Sequence, residues 1–249
     1  MDAIHELVAN DRIVGGIDET STATAAFYRQ FVTGKFLITD SRTAELAKLT
    51  ENSFRDVNIA LANELSRICD HLGVDIRELI RLANHHPRVE ILSPGPGVGG
   101  HCIAVDPWFI IHSAPEQSRL IHVAREVNTA QPEFVVAEVG VEAARLRHPT
   151  IACFGLAYKA DIDDLRESPS VEIALRLARE GGGRILAIEP HIETLPTPLA
   201  VADVRLCGVD EALAEADIVL GLVPHRAFQK MSRQALREKI VIDTCGLWQ

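Results

Sequence analysis

One of the five cysteines in this 249-residue chain, Cys102, sits among residues that could do chemistry. It follows the run Gly95-Pro96-Gly97-Val98-Gly99-Gly100, with His101 beside it and Asp106 four residues later. A thiolate to attack a carbonyl and a carboxylate to position water are what acyl chemistry requires. For a single cysteine the alternative is a small buried apolar residue. Lys48, Asn52 and Arg55 recur at i, i+4 and i+7 of a helical stretch and so share one face. A lysine and an amide facing a thiol would stabilise a thiolate and a developing oxyanion. Opposite an apolar stripe, spacing alone favours reading the same residues as a solvated face.

The glycine run matches G-x-G-x-x-G at Gly95, Gly97 and Gly100, yet a dinucleotide reading does not suit it. That fingerprint leaves a strand and opens a helix at once, whereas this run follows Pro94, contains Pro96 and leads into Pro107. The glycines imply instead a close backbone approach to a ligand, or a tight turn that delivers Cys102. The segment His85-His86-Pro87-Arg88 raises zinc, but no second closely spaced ligand pair accompanies it, so no metal is expected. Lys159 and Arg166 follow an apolar run. At the end of a parallel strand two cations suit phosphates, and they are also ordinary surface residues.

The elements that must carry these residues follow from periodicity. A long helix starts after Thr39-Asp40-Ser41, with apolar residues at Phe54, Val57, Leu61, Leu65, Ile68 and Leu72, and ends at Gly73. Asp75 and Glu78 make a capping box for a shorter helix to about Ala83, so residues 41 to 84 read as a helical hairpin. Residues 117 to 145 read as further helix, broken at Pro132, with Leu120, Val123, Ala124 and Val127 on one stripe. From His148 the runs IACFGLA, RILAIEP, ADIVLGLV and KIVIDT look like buried parallel strands, alternating with helices at 169 to 180 and 210 to 215. The fold class is therefore α/β: a central, mainly helical domain followed by a small doubly wound (Rossmann-like) parallel-sheet domain.

A net charge of -10 argues against a nucleic-acid partner, and any anionic ligand must meet a local basic pocket. No window approaches the run of about 20 apolar residues that spans a bilayer, and the opening residues are acidic where an export signal would be basic. An odd number of scattered cysteines without a C-x-x-C pair suits reduced thiols in a cytoplasmic protein.

Three segments, TAELAKLTENSFRDVNIALANEL, NHHPRVEILSPGPGVGGHCIAVDPWFI and ACFGLAYKADIDDLRESPSVEIA, closely resemble the UDP-glucose/GDP-mannose dehydrogenase family, and HCIAVDPWF points to its mannosamine branch. The resemblance implies a four-electron, NAD-dependent oxidation of UDP-N-acetyl-D-mannosamine to the uronate, a surface polysaccharide precursor, through a cysteine thioester. It would make Cys102 the nucleophile, Lys48 the acid/base group, Asn52 its polar partner and Asp106 the group that orients water. Arg55, His86, Arg88, Gly99, Tyr158 and Lys159 match positions that contact the UDP-sugar, and Arg166 one that contacts NAD phosphate. It further implies a homodimer paired through the long helix, with residues 1–40 as a remnant of an N-terminal domain and connection, 41–147 as the central dimerisation and catalytic domain, and 148–249 as the UDP-binding α/β domain. Two positions depart from the family pattern: Val105 stands where Lys is common, and Cys245 where a basic residue is usual. The NAD-binding domain that opens family members has no counterpart in this sequence. The chain is then expected either to work with a separate NAD-binding domain or to be an inactive UDP-sugar-binding and dimerisation module. Its first 31 residues would expose apolar surface in the absence of a cover.

Overall fold

The computed structural model describes residues 3–18, 20–180 and 183–248. Met1, Asp2 and Glu19 of the N-terminal run lie outside the described residues. The chain opens with α1 (Ala3–Ala9), β1 (Arg12–Gly16), α2 (Thr20–Tyr28) and β2 (Phe36–Asp40), the two strands pairing in parallel from Arg12↔Phe36 to Gly16↔Asp40. The helical part follows as α3 (Ser41–Leu72), α4 (Ile76–Ala83), α5 (His101–Ser113), α6 (Arg119–Thr129) and α7 (Gln131–Ala143). Then come β3 (Thr150–Phe154), α8 (Pro169–Arg179), β4 (Arg184–Ile188), α9 (Thr197–Val201), β5 (Arg205–Leu206), α10 (Val209–Glu215), β6 (Ile218–Gly221), α11 (Arg226–Gln229) and β7 (Ile240–Asp243). No helix among the described residues is long and apolar enough to cross a membrane.

The second sheet is wholly parallel in the order β5-β4-β3-β6-β7. Two windings run outward from β3, which leaves a switch point between β3 and β6 where the loops after the strands part. One face buries Ile151, Cys153, Ile185, Ile218 and Leu220 under α8 and α7, and the other buries Ala152, Phe154, Leu186 and Val219 under α10 and α11. Residues on adjacent positions of a strand face opposite ways, so both faces must be apolar, which is why these strands read as continuous apolar runs. Burial pushes the Cys153 thiol up to about 12. Helix α7 lies on this sheet through Val135, Val136, Val139 and Ala143.

Caps fix the helices where the sequence places them. The Asp40 carboxylate accepts from the Thr43 N–H at 3.0 Å, and Gly73 closes α3 with φ 66. Asp75 accepts from the Arg77 N–H at 2.8 Å and caps α4, but Glu78 does not complete the capping box and turns to Arg81 instead. Pro132 falls in the first turn of α7, where its missing N–H costs nothing, so residues 117–145 form two helices hinged at Ala130.

Much of each expected helical stripe faces outward, although Ala124 is buried and Val57, Leu65 and Val127 are half-buried. Phe54, Leu61, Ile68 and Leu72 on α3 are 68%, 48%, 44% and 65% exposed, while Asn52, Ser53, Asp56 and Asn63 are buried against α5 and α6. On α6, Leu120 and Val123 are exposed, and Ala124, Arg125 and Asn128 are buried. A seam of hydrogen bonds replaces apolar packing. The Arg125 Nη1 donates to Asp56 Oδ1 at 2.6 Å, Asn128 Nδ2 donates to the same oxygen at 2.9 Å, and Asn63 Nδ2 donates to Asn128 Oδ1 at 3.0 Å. Burial pushes the Asp56 carboxyl up against the pull of Arg125 and Asn128. Such a pair holds only while both members stay hydrogen-bonded.

Candidate active site

Cys102 occupies the first turn of α5. The glycine run thus does open a helix, which the sequence reading did not expect, but no strand precedes it. Pro107 is the helix's seventh residue, and being buried it packs inside the turn. Asn63 Oδ1, the far end of the polar seam, accepts from the Gly95 N–H at 3.0 Å and ties the run to α3. The run then threads between helix starts. A Cβ on Gly97, which has φ 140, would come within 3.0 Å of Pro169, and one on Gly99 within 2.6 Å of the Glu167 carbonyl oxygen and 2.9 Å of Tyr158 Cβ. On Gly100, with φ 78, it would meet the Tyr158 ring at 2.9 Å. The close approach inferred for these glycines is therefore made to Tyr158, Glu167, Pro132 and Pro169; only Gly95 faces open space.

Around the thiol, Asn52 Nδ2 donates to Asp106 Oδ2 at 2.5 Å, joining α3 to α5 one turn beyond Cys102. Asn52 is buried and Asp106 half-buried, while Cys102 is exposed. The thiol thus sits at the amide-rich end of a helix, where developing negative charge is favoured, above a carboxylate whose orientation a buried amide fixes. Lys48 is exposed, and its Nζ turns to Glu51 Oε2 at 3.3 Å. Arg55 is exposed on the same side of α3.

Other residues singled out from the sequence lie on the rims. His86 Nδ1 accepts from the Arg88 N–H at 3.3 Å, and His85, His86 and Arg88 are all exposed in the loop after α4. That loop is pinned by Asn84, which exchanges two bonds with the Ile91 backbone. Tyr158 and Lys159 stand exposed past β3, beside the glycine run. Arg166, 78% exposed, forks onto Asp164 at 2.6 and 2.9 Å, and this pairing, with His101 nearby, holds the Asp164 carboxyl down at about 2. Val105 is partly exposed on α5.

A cavity of about 280 Å³ lies between α4, α7, Ser93-Pro94 and the end of β7. Its one deep cation, Arg77, is already bonded to Asp243 at 2.7 Å. Burial, with help from Asp70 and Glu142, raises Glu138 on its wall to about 7. Cys245 also lines it, its thiol pushed up by burial. That chemistry does not suit a diphosphate. Missed by sequence reasoning were the seam residues Asp56, Asn63, Arg125 and Asn128, although their seven-residue spacing on α3 and three-residue spacing on α6 were a signal. Glu189 and His225 were missed as well.

Family profiles match two stretches: the central domain of the UDP-glucose/GDP-mannose dehydrogenase family at residues 42–130, and that family's UDP binding domain at 152–249. The chain belongs to the UDP-glucose/GDP-mannose dehydrogenase family. Among curated relatives it is 55% identical over 98% of its length to an NDP-N-acetyl-D-galactosaminuronic acid dehydrogenase of Ralstonia nicotianae, covering 58% of that protein. It is 51% identical over 98% of its length to a UDP-N-acetyl-D-mannosamine dehydrogenase of Escherichia coli, covering 60% of that one. Among solved structures, a UDP-N-acetyl-mannosamine dehydrogenase from S. aureus superposes with TM-score 0.86 at 41% identity, over 99% of this chain and 58% of that one. This family member thus spans less than two thirds of the length of the relatives it matches. Its helix-rich architecture with parallel sheets is theirs.

Proposed function

We propose that the chain supplies the thiol and the nucleotide-sugar half of a dehydrogenase that oxidises the C6 alcohol of UDP-N-acetyl-D-mannosamine to a carboxylate. The observation that carries this is the Asn52–Asp106 bond at 2.5 Å, fixed under an exposed Cys102 at a helix amide end. The Cys102 thiolate adds to the C6 aldehyde, forming a C–S bond while the carbonyl π pair moves to oxygen, and Lys48, swung from Glu51, donates a proton to that oxygen. After oxidation of this adduct to a thioester, Asp106, oriented by Asn52, positions the water that adds to the carbonyl carbon; the C–S bond breaks and the thiolate leaves. The exposed cations Arg55, Arg88 and Lys159, with His86, Gly99 and Tyr158, supply the diphosphate and sugar contacts.

The two oxidations each need a hydride acceptor, NAD by family expectation. The residues present do not cradle one: no strand leads into the glycine run, and side chains at Gly99 and Gly100 would strike Tyr158. Arg166, the proposed NAD phosphate contact, is meanwhile paired with Asp164. Hydride transfer is therefore assigned to a separate NAD-binding domain, in a cytoplasmic setting that keeps thiols reduced. The same observation favours a second reading, a catalytically silent module that binds UDP-sugar and dimerises. The outward stripe of Phe54, Leu61, Ile68 and Leu72 on α3 is the proposed homodimer seam.

The deciding experiment mixes the folded chain with an NAD-binding domain of a relative and follows NADH release from UDP-N-acetyl-D-mannosamine and from its galacto epimer. Release that vanishes in Cys102→Ser supports the dehydrogenase, and the preferred epimer names the substrate. UDP binding by calorimetry without any NADH release supports the silent module instead. Absence of both overturns the two readings together.

A further inference from the structure

At the switch point of the five-stranded sheet, two charged-type residues are wholly inside the protein. Glu189 directly follows β4 and is 4% exposed; His225 follows β6 and is 0% exposed. They bond to each other, His225 Nε2 to Glu189 Oε2 at 3.0 Å. The same carboxylate oxygen accepts from the Leu156 N–H at 2.7 Å and the Ala157 N–H at 3.0 Å. On the other side of the ring, His225 Nδ1 accepts from the Asp161 N–H at 2.9 Å. Since Nδ1 is an acceptor, the ring proton belongs on Nε2, pointing at Glu189.

These bonds bracket one short turn. Glu189 holds the backbone at 156–157, His225 holds it at 161, and between them stand Tyr158, Lys159 and Ala160. Asp161 takes a left-handed φ of 61, a conformation that a residue with a side chain keeps only when its surroundings impose it. Burial alone would push Glu189 up, yet the bonds from His225 and the two amides hold its carboxyl below the usual range. Tyr158, the first residue inside the bracket, is what Gly99 and Gly100 touch, three and two residues before Cys102.

Asp161, His191 and His225 also bring ligand-type atoms within 4.8 Å of one another, but this is not a cation site. Both nitrogens of His225 are already engaged, and the Asp161 carboxylate accepts from the Arg226 N–H at 3.0 Å and is ion-paired with the Arg226 guanidinium, Nε lying at 3.2 Å.

We propose that Glu189 and His225 are positioning residues: together they clamp the turn carrying Tyr158 and Lys159 against the Gly99–Cys102 turn, so that the sugar-nucleotide contacts and the thiol move as one unit. The nucleotide part of this rests on the function proposed above; the thiol part does not.

The test compares Glu189→Gln, His225→Ala, His225→Asn and His225→Gln in the full chain. It reads UDP affinity by calorimetry, the alkylation rate of the Cys102 peptide by mass spectrometry, and melting. An asparagine amide oxygen overlies Nδ1 and keeps the Asp161 bond; a glutamine amide nitrogen overlies Nε2 and keeps the Glu189 bond. Loss of both ring hydrogen bonds should weaken UDP binding and slow Cys102 alkylation by about tenfold or more in His225→Ala, with His225→Asn, which keeps one of them, recovering most of the alkylation rate. Folded variants that keep both readouts within about twofold of the parent would overturn the clamp. So would His225→Asn and His225→Ala behaving alike, the comparison that decides if Glu189→Gln fails to fold. Should the parent chain not bind UDP, the nucleotide reading falls, and the alkylation rates alone decide the clamp.

Discussion

The two halves of this chain bury opposite chemistry. Around the five-stranded sheet, Ile151, Leu186, Ile218 and Leu220 are fully enclosed among other apolar side chains. Where α3 meets α5 and α6, the enclosed residues include Asn52, Asp56, Asn63, Arg125 and Asn128 beside small apolar ones such as Ala60, Ala62 and Ala124, and Phe54, Leu61 and Leu72 of α3 face out. The two faces of the sheet need mainly density, which apolar groups achieve at least cost, and the buried Glu189–His225 pair lies past the strand ends. The helical seam has to place a carboxylate beside a thiol and grip the amide of Gly95. Directional bonds do that, and apolar contacts do not.

The contrast can be broken from either side. Arg125→Ala leaves the Asp56 carboxylate buried without its ion pair and should cost about 3–5 kcal/mol in urea unfolding. That is as much as Leu220→Ala, at about 2–5 kcal/mol, costs the apolar half. A loss below about 1 kcal/mol for Arg125→Ala would place the strength of the helical half elsewhere. Gly99→Ala drives a methyl group toward the Glu167 carbonyl and Tyr158, and about 1–3 kcal/mol of overpacking strain should appear together with weakened UDP binding.

A smaller effect sharpens the boundary between the halves. Glu138 keeps its proton up to about 7 when folded but releases it near 4.5 when unfolded, so the folded chain binds more protons between those values. Stability should therefore fall as pH climbs from 4.5 to 7 and lose nothing further from this group above that. Its partly open position screens the effect to about 1 kcal/mol, and Glu138→Gln should flatten that slope in melting curves taken across the range. Smallest of all, Leu61→Ser on the outward stripe should shift monomer unfolding by no more than about 0.5 kcal/mol. Sedimentation should nonetheless show self-association lost. A large loss of monomer stability would mean the stripe is covered within the chain.

Much of this was legible because it depends on local pattern. The β3, β4, β6 and β7 strands declared themselves as apolar runs, and α3 and α4 by Asp40, Gly73 and Asp75 at their ends. Periodicity placed Asn52 opposite Leu61, but it could not say which face was inside: a helix carries two faces, and only its neighbours decide between them. Helix α5 was hidden by its near-continuous apolar sequence and by Pro107, which reads as a breaker. Cys102 and Asp106 stood out by type and spacing, whereas the bond of a buried Asn52 to Asp106 did not, since spacing alone put Asn52 on a solvated face beside Lys48. The turn of Lys48 toward Glu51 was not, being a rotamer of an exposed side chain. Glu189 and His225 are ordinary residues in the sequence, 36 positions apart, and become partners only because β3 lies between their strands in the sheet.

The pairing of β1 with α3 carries one more consequence. A Cβ on Gly15 would lie 2.5 Å from both the Ala44 Cβ and the Asp40 carbonyl oxygen, so the strand presses on the first turn of the long helix with no room to slide. In mechanical terms the strand pair and α3 are a lever without slack at its pivot. A tilt imposed on β1 and β2 would then be felt along the helix at Asn52, and from there at the carboxylate it holds.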